Sequence, residues 1–346
     1  MLCERIKMKN PSILAICADE QYALLDSGEG EKLEKYGQFV LSRPDPQALW
    51  RKHLPEKEWQ KADAIFLRDG RSTEWKTRPG LPPKWTVELG GLKFWVKPTS
   101  FKHTGLFPEQ SSNWSWLAEV IGAHCHPEQC HAVPCHPELV SGSLKDFSPR
   151  REVGAQNDSN QPAVLNLFGY TGGATLACAK AGASVCHVDG SKTAITWARE
   201  NAELSGLADK PVRWILDDAV KFVKREIKRG RKYDGIILDP PAFGHGPAGE
   251  MWKIEENFLD LLDDCKKLMS DKPLFFLVNG YSSGYSAIAY ENALGDLLEG
   301  APFTSPRPSP YKGEGDRGEI EKGALAIHER DSHRLLPCGI FARWRV

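Results

Sequence analysis

Four stretches in the second half of the chain place acidic or amide residues directly after short apolar runs. They are Asp189, Asp217-Asp218, Asp239-Pro240-Pro241-Ala242-Phe243 and Asn279-Gly280. Carboxylates and carboxamides accept hydrogen bonds from hydroxyl and amino groups, the chemistry needed to hold a sugar and a heterocycle. Any one of these aspartates could instead cap a helix, but the whole series is harder to explain that way. A fifth run, Val164 to Phe168, ends in the turn Gly169-Tyr170-Thr171-Gly172-Gly173, ahead of the helix-forming stretch 174–181. Glycines let backbone approach a ligand closely, and a helix start offers unpaired N–H groups. Asp189 follows Gly169 at a distance that suits both hydroxyls of a ribose.

These groups need elements that bring them together. Apolar runs at 164–168, 184–189, 212–216, 235–239 and 274–279 read as strands, and the segments between them carry helical periodicity. Strands alternating with helices predict a mostly parallel sheet covered on both faces. Its ligand crevice lies beyond the carboxyl ends of the strands, where the acidic series falls. Two late runs, 324–329 and 339–346, predict an antiparallel closing pair. The turn fits the GxGxxG spacing of dinucleotide sites poorly, and no lysine follows it as a phosphate loop requires. It suits a ligand with a sugar and a base but no pyrophosphate.

The first hundred residues differ in character. Short aromatic-rich runs between turn residues predict a small, mostly β domain over 1–98, with a hairpin turning at Gly90-Gly91. Its tryptophans Trp50, Trp59, Trp75, Trp85 and Trp95 could stack on bases, although most read as core. Residues 99–346 form the second domain, opened by the segment Phe101 to Gln110 and a helix through Trp114 and Trp116. At 125–139 a period-five Cys-His repeat is followed by a polar stretch. Its spacing matches no common zinc pattern, so 123–160 reads first as a surface insertion with adventitious or no metal binding, a genuine zinc site being the alternative. Residues 304–323 have the same loop-like composition.

Composition excludes several classes. The chain has 346 residues, 41% hydrophobic and 26% charged, with a net charge of −1. No apolar run approaches the ~20 residues that span a bilayer. The first twenty residues lack a secretory pattern. Nine cysteines scattered without framework spacing suit a reducing cytoplasm. Near-neutral charge leaves nucleic-acid binding to a local patch, such as the basic run Lys221 to Lys232, which reads equally as a solvated helix face.

The strand-end series with Asp-Pro-Pro-Ala-Phe at 239–243 resembles the class I S-adenosylmethionine-dependent methyltransferases. Together with Phe-Lys-His-Thr-Gly-Leu-Phe-Pro-Glu-Gln at 101–110, it is similar to the bacterial 23S ribosomal RNA large-subunit methyltransferase family. The resemblance covers roughly 20–122 and 161–346, and implies a Rossmann-like sheet with a small N-terminal β domain. S-adenosyl-L-methionine is the implied cofactor. Phe168, Gly169, Thr171 and Gly172 would pass under its methionine moiety, Asp189 would hold the ribose and Asp218 the adenine amino group. His103, Thr104, Phe107 and Gln110 would close the pocket from the linker. Asp239 would border both ligands, and Asp239, Pro240, Pro241 and Phe243 would face the target base. A rigid Pro-Pro after an acidic strand end can aim a carboxylate and a carbonyl at an amino group while Phe243 stacks on the base.

Carbon-5 methylation of cytosine needs a cysteine nucleophile. Relatives with that chemistry carry it just after the fifth strand, where this chain reads Asn-Gly-Tyr-Ser-Ser-Gly at 279–284. Neither Cys265 nor Cys338 falls in the matching slot, so the expectation is a nitrogen target on ribosomal RNA. A protein or small-molecule substrate, and a cofactor-binding relic without turnover, remain open alternatives on the sequence.

Overall fold

The computed structural model describes residues 12–69, 72–100, 102–125, 161–281, 284–299 and 319–346. The Cys-His repeat beyond Cys125, the polar stretch after it and residues 304–318 lie outside the described residues. Strand β1 (Ser12–Ile16) leaves the N-terminal region and joins the large sheet described below. A five-stranded sheet then forms from β2 (Tyr22–Gly28), β3 (Glu31–Tyr36), β4 (Phe39–Pro44), β5 (Ala64–Asp69) and β6 (Ser72–Thr77), with the short helix α1 (Glu56–Trp59) between β4 and β5. The expected hairpin is present as β7 (Trp85–Leu89) and β8 (Leu92–Val96). Gly90 and Gly91 both take positive φ (59° and 69°), as a two-residue hairpin turn of this hand demands.

Charge inside this sheet is paired. Glu34 is fully buried and accepts hydrogen bonds from the hydroxyls of Tyr22 (2.7 Å) and Tyr36 (3.2 Å) and from Arg43 Nε (2.6 Å). Lys32 lies 3.5 Å from Glu34 and 3.2 Å from Asp45. Arg43 beside Glu34 holds its carboxyl well below the usual range, outweighing the opposing effect of burial. The tryptophans serve as structure. The indole N–H groups of Trp50, Trp59, Trp75 and Trp85 donate to Ser27, Asp26, Thr99 and Tyr36, and Trp59 and Trp85 are buried. Asp26, His53 and Glu329 bring three potential ligand atoms within 4.8 Å of one another. Both Asp26 oxygens already accept N–H groups, from Ser27, His53, Leu54 and Trp59, and Ser27 Oγ donates to Glu329 Oε2 at 2.7 Å, so this cluster ties the β2 strand to Glu329.

A 3-10 turn at Pro108–Gln110 leads into α2 (Ser111–Cys125), and the alternating pattern follows: β9 (Ala163–Leu167), α3 (Gly173–Lys180), β10 (Ser184–Asp189), α4 (Lys192–Leu204), β11 (Val212–Leu216), α5 (Ala219–Lys228) and β12 (Gly235–Leu238). A small hairpin, β13 (Phe243–His245) with β14 (Met251–Lys253), precedes α6 (Ile254–Leu268), β15 (Phe275–Gly280), α7 (Ala287–Leu298), β16 (Glu319–His328) and β17 (Leu335–Arg345). The eight-stranded sheet runs β1-β16-β17-β15-β12-β9-β10-β11, with β17 alone antiparallel to its neighbours. Strand order reverses between β9 and β12, which opens the crevice there. Every residue of β12 and β15 is buried, as fits central parallel strands covered on both faces. Helix α5 buries Ala219, Phe222, Val223 and Glu226, one stripe at helical spacing. Helix α2 runs through Cys125 and β16 starts at Glu319, so ordered elements reach into both stretches whose composition reads as loop. Among the described residues no helix is long and apolar enough to cross a membrane.

Replacing one partner of a buried ion pair strands the other charge. Glu34→Gln leaves Arg43 and Lys32 under-compensated and is expected to cost about 3–5 kcal/mol of stability, read by denaturant unfolding. A loss below ~1 kcal/mol would mean that the pairs contribute as little as surface ones.

Candidate active site

The turn after β9 is a strained backbone. Phe168 and Tyr170 adopt left-handed φ values of 58° and 48°, a conformation that costs bulky residues about 1–3 kcal/mol each. Several contacts hold it. Gly169 N donates to Val188 O (3.1 Å), Tyr170 N to Asp189 Oδ2 (2.8 Å), and Thr171 Oγ1 to Gly105 O (2.6 Å). Asn201 Nδ2 donates to the Thr171 carbonyl at 3.0 Å. Gly169 is required because a Cβ there would meet the buried His187 ring at 2.4 Å. Gly172, with φ of 91°, caps α3 in the left-handed region that favours glycine.

Beyond the strand ends lies a cavity of about 820 Å³. A smaller pocket of about 50 Å³ adjoins it and shares Phe107, Phe168, Tyr170 and Asp239 with it. Gly169, Thr171, Gly172, Gln110 and Asn279 line the smaller pocket, at the start of α3. Asp189, Asp218, Asp239, Pro240 and Pro241 line the larger one, with His103 and Phe107 from the linker. Thr104 is fully buried and lines neither; its carbonyl accepts from Lys97 N (3.1 Å). Phe243 also stands outside both linings. It is 53% exposed on the outer face of the β13–β14 hairpin, edge-on to His245.

Each aspartate has a distinct environment. Asp189 accepts backbone N–H groups on both oxygens, from Tyr170 and from Ser191 (2.7 Å), and burial nevertheless pushes its carboxyl up. Asp218 is the N-cap of α5, accepting from Lys221 N at 2.9 Å, and lines the cavity at the same time. Asp217 pairs with Arg225. Asp239 receives no hydrogen bond from another described residue; burial first, and the charge of Glu109 second, push its carboxyl up to about 8. The loop after it is pinned by Trp252, whose Nε1 donates to Pro241 O at 2.7 Å. His103 is driven down to about 4 by burial and then by Arg43, so its ring is neutral at pH 7.

Sequence reasoning missed part of the wall. Lys32, Arg43 and Asp45 reach the cavity from β3, β4 and the following loop, Lys102 and Glu109 from the linker, Tyr281 from the residue after β15 and Cys338 from β17. Phe107 touches the rings of His103, Tyr170 and Tyr281 at 5.4–5.5 Å, forming an aromatic seam between linker and sheet. Glu109 sat in view within the linker segment. The charges of β3 and β4 gave no signal, because a strand with alternating charges reads as a solvated one.

The donor set fits an S-adenosylmethionine. Each Asp189 oxygen keeps a lone pair for a ribose hydroxyl, and the start of α3 faces the pocket where an amino-acid carboxylate could bind helix-terminal N–H groups. Gly190 leaves a cradle that a Cβ would fill, 3.3 Å from His245 O.

Comparison with known proteins agrees. Residues 161–272 match the family model described as RNA cap guanine-N2 methyltransferase. The crystal structure of an S-adenosylmethionine-dependent methyltransferase from Agrobacterium tumefaciens superimposes with a TM-score of 0.79 and 36% identity, covering 97% of this chain and 94% of that one. The ribosomal RNA large subunit methyltransferase K of Neisseria meningitidis serogroup B is 31% identical over 275 residues, 74% of this chain and 64% of that protein. Methyltransferase I of the same subunit from Aeromonas salmonicida is 44% identical over 86 residues, 22% of its length. The chain thus spans less than two thirds of these curated relatives. Over nearly the full length of both chains, fold and sequence agree with the Agrobacterium enzyme: this chain belongs to the S-adenosylmethionine-dependent methyltransferases.

Proposed function

We propose that the chain methylates an exocyclic nitrogen of a base in ribosomal RNA. The observation that carries this reading is Asp239, an unbonded carboxylate followed by Pro240-Pro241, at the seam between the larger cavity and the α3 pocket. When bound, S-adenosylmethionine supplies a methyl group activated by its sulfonium. Asp189 would hold its ribose, Asp218 the adenine, and Gly169, Thr171, Gly172 and Gln110 the amino-acid end. Asp239, once ionised, accepts one N–H of the target amine and turns the nitrogen lone pair toward the methyl group. It then takes up the proton that the nitrogen sheds as the new N–C bond forms. The aromatic seam of Phe107, Tyr170 and Tyr281 keeps water from the reacting centre.

A nitrogen target is further supported by the cysteines. Cys338 alone lies on the cavity wall among the described residues; its Sγ donates to Leu336 O at 3.4 Å, and burial, then Glu109, raise its pKa well above the ordinary thiol value. A thiol held protonated is a poor nucleophile. Cys265 is fully buried away from the cavity. The guanine-N2 description of the matched family and the names of the curated relatives support an RNA base as substrate. Such a substrate implies action in the cytoplasm. In this reading the β-rich region from β2 to β8 positions RNA against the catalytic unit, to which β1 also belongs, so that the expected boundary at 98 does not separate the two. Trp59 and Trp85 are buried and so withheld from stacking on bases.

The direct test is transfer of labelled methyl groups to ribosomal RNA from a strain lacking the gene; transfer to carbon, or none to RNA, refutes the reading. Asp239→Asn should bind S-adenosylmethionine within about fivefold of wild type in calorimetry while kcat falls by about 10²–10⁴. Because protonated Asp239 cannot accept the N–H, kcat/KM should rise with pH up to about 8 and level off above it. A profile flat from pH 6 to pH 9 would remove Asp239 from the proton path. Cys338→Ser should cost less than about tenfold, whereas a nucleophile's loss would abolish turnover.

A further inference from the structure

Six carboxylates line the larger cavity: Asp45, Glu109, Asp189, Asp217, Asp218 and Asp239. Four are engaged. Asp45 pairs with Lys32, Asp217 with Arg225, Asp218 caps α5, and Asp189 accepts two backbone N–H groups. Glu109 and Asp239 receive no hydrogen bond from another described residue. Glu109 is only 4% exposed; its carboxylate accepts its own backbone N–H and keeps its remaining lone pairs open on the cavity wall. Buried polar groups in native proteins are almost always bonded, and an acceptor left open inside a cavity marks a place for a ligand's donor.

We propose that Glu109 is a specificity-determining residue of the target site, accepting the ring N–H that adjoins the amino group held by Asp239. This rests on the nucleobase reading above and sharpens it. Two neighbouring acceptors suit an edge with two neighbouring donors, a ring N–H beside an exocyclic amine. Guanine presents that pair at N1 and N2. Adenine and cytosine place a ring acceptor next to the amino group, which would set a lone pair against the Glu109 carboxylate. The carbonyl on the other side of guanine N1 needs a donor. Lys32 and Lys102 line the same wall, and Lys102 has no ion-pair partner among the described residues. Glu109 is poised for contact rather than for packing: it sits in the first turn after Pro108, at the point where the linker crosses from the β-rich region to the sheet.

The substitution Glu109→Gln keeps the size of the side chain but lets its amide donate to a ring acceptor. The probes are guanosine, adenosine and cytidine 5′-monophosphates and the fluorescent 2-aminopurine riboside 5′-monophosphate, which keeps the amino group and has an acceptor at N1. Binding is measured to the full chain saturated with S-adenosylhomocysteine. Wild type should prefer guanosine to 2-aminopurine riboside monophosphate, and Glu109→Gln should cut that ratio by about ten- to a hundredfold. Affinity for S-adenosylhomocysteine alone should stay unchanged, which also reports correct folding. Glu109→Asp, a shorter acceptor, should keep the order of preference at lower affinity. A guanine preference undiminished in Glu109→Gln overturns the role of Glu109 and leaves the nitrogen-methylation reading standing. A wild-type preference for the adenosine or cytidine nucleotide overturns the two-donor edge. Wild type that binds S-adenosylhomocysteine but no nucleotide at millimolar concentration overturns both.

Discussion

The side chain of Asn113 joins three separate parts of the chain. Its Nδ2 donates to Gln110 Oε1 (3.0 Å) and to Asn279 Oδ1 (2.9 Å), and its Oδ1 accepts from Arg343 at 3.1 Å. Gln110 in turn donates to the Tyr281 hydroxyl (2.8 Å), and Arg343 is anchored on Glu321. Asn113 is 1% exposed, so each of these bonds forms where an unmet polar group would be expensive. The network fastens the start of α2 to the end of β15 and to β17. Without it the linker would not be held over the strand ends, and the cavity would have a floor but no far wall. Thr171, bonded to the Gly105 carbonyl, fastens the other end of the same linker to the glycine turn.

The electrostatics of the cavity follow from that closure. Linker and β-rich region together exclude water from one side, so His103 is held neutral and Asp239 holds its proton into the neutral range. Neither shift comes from a single dominant charge; burial is the larger cause in each. Asp218 combines two duties that the sequence presented as alternatives, capping α5 with one oxygen while its side of the loop faces the cavity.

Legibility from sequence tracked locality. The strand-end series was readable because parallel strands deliver their carboxyl ends to one edge, so residues far apart in sequence share a site without any knowledge of side-chain packing. The Gly90-Gly91 hairpin and the antiparallel closing pair were readable because turn chemistry and alternation act within a few residues. What stayed hidden depended on distant partners. Glu34, Lys32 and Arg43 look solvated until Tyr22 and Tyr36 are seen to cover them. Cys338 lies in a strand with no chemical signature and reaches the cavity only because β17 is inserted between β15 and β16. Phe243 follows the Asp-Pro-Pro motif closely enough to suggest a place over the target base, yet the pairing Gly244↔Trp252 sets the hairpin's inner face and turns Phe243 outward.

Strand β1 carries a consequence for how the molecule is made. It pairs in parallel with β16, Ser12 beside Gly323 and Ile16 beside Ile327, so its partner is synthesised about 310 residues after it. At ordinary elongation rates that is a wait of about 15 to 60 s. Until then β1 has no strand to pair with, and the buried residues of β2 and β3 lack Ile327 and Leu336, which share their core. The β1–β16 pairing is therefore among the most non-local contacts of the sheet, the kind that forms slowly, and it covers the open edge of β16 with β1 as the outer strand.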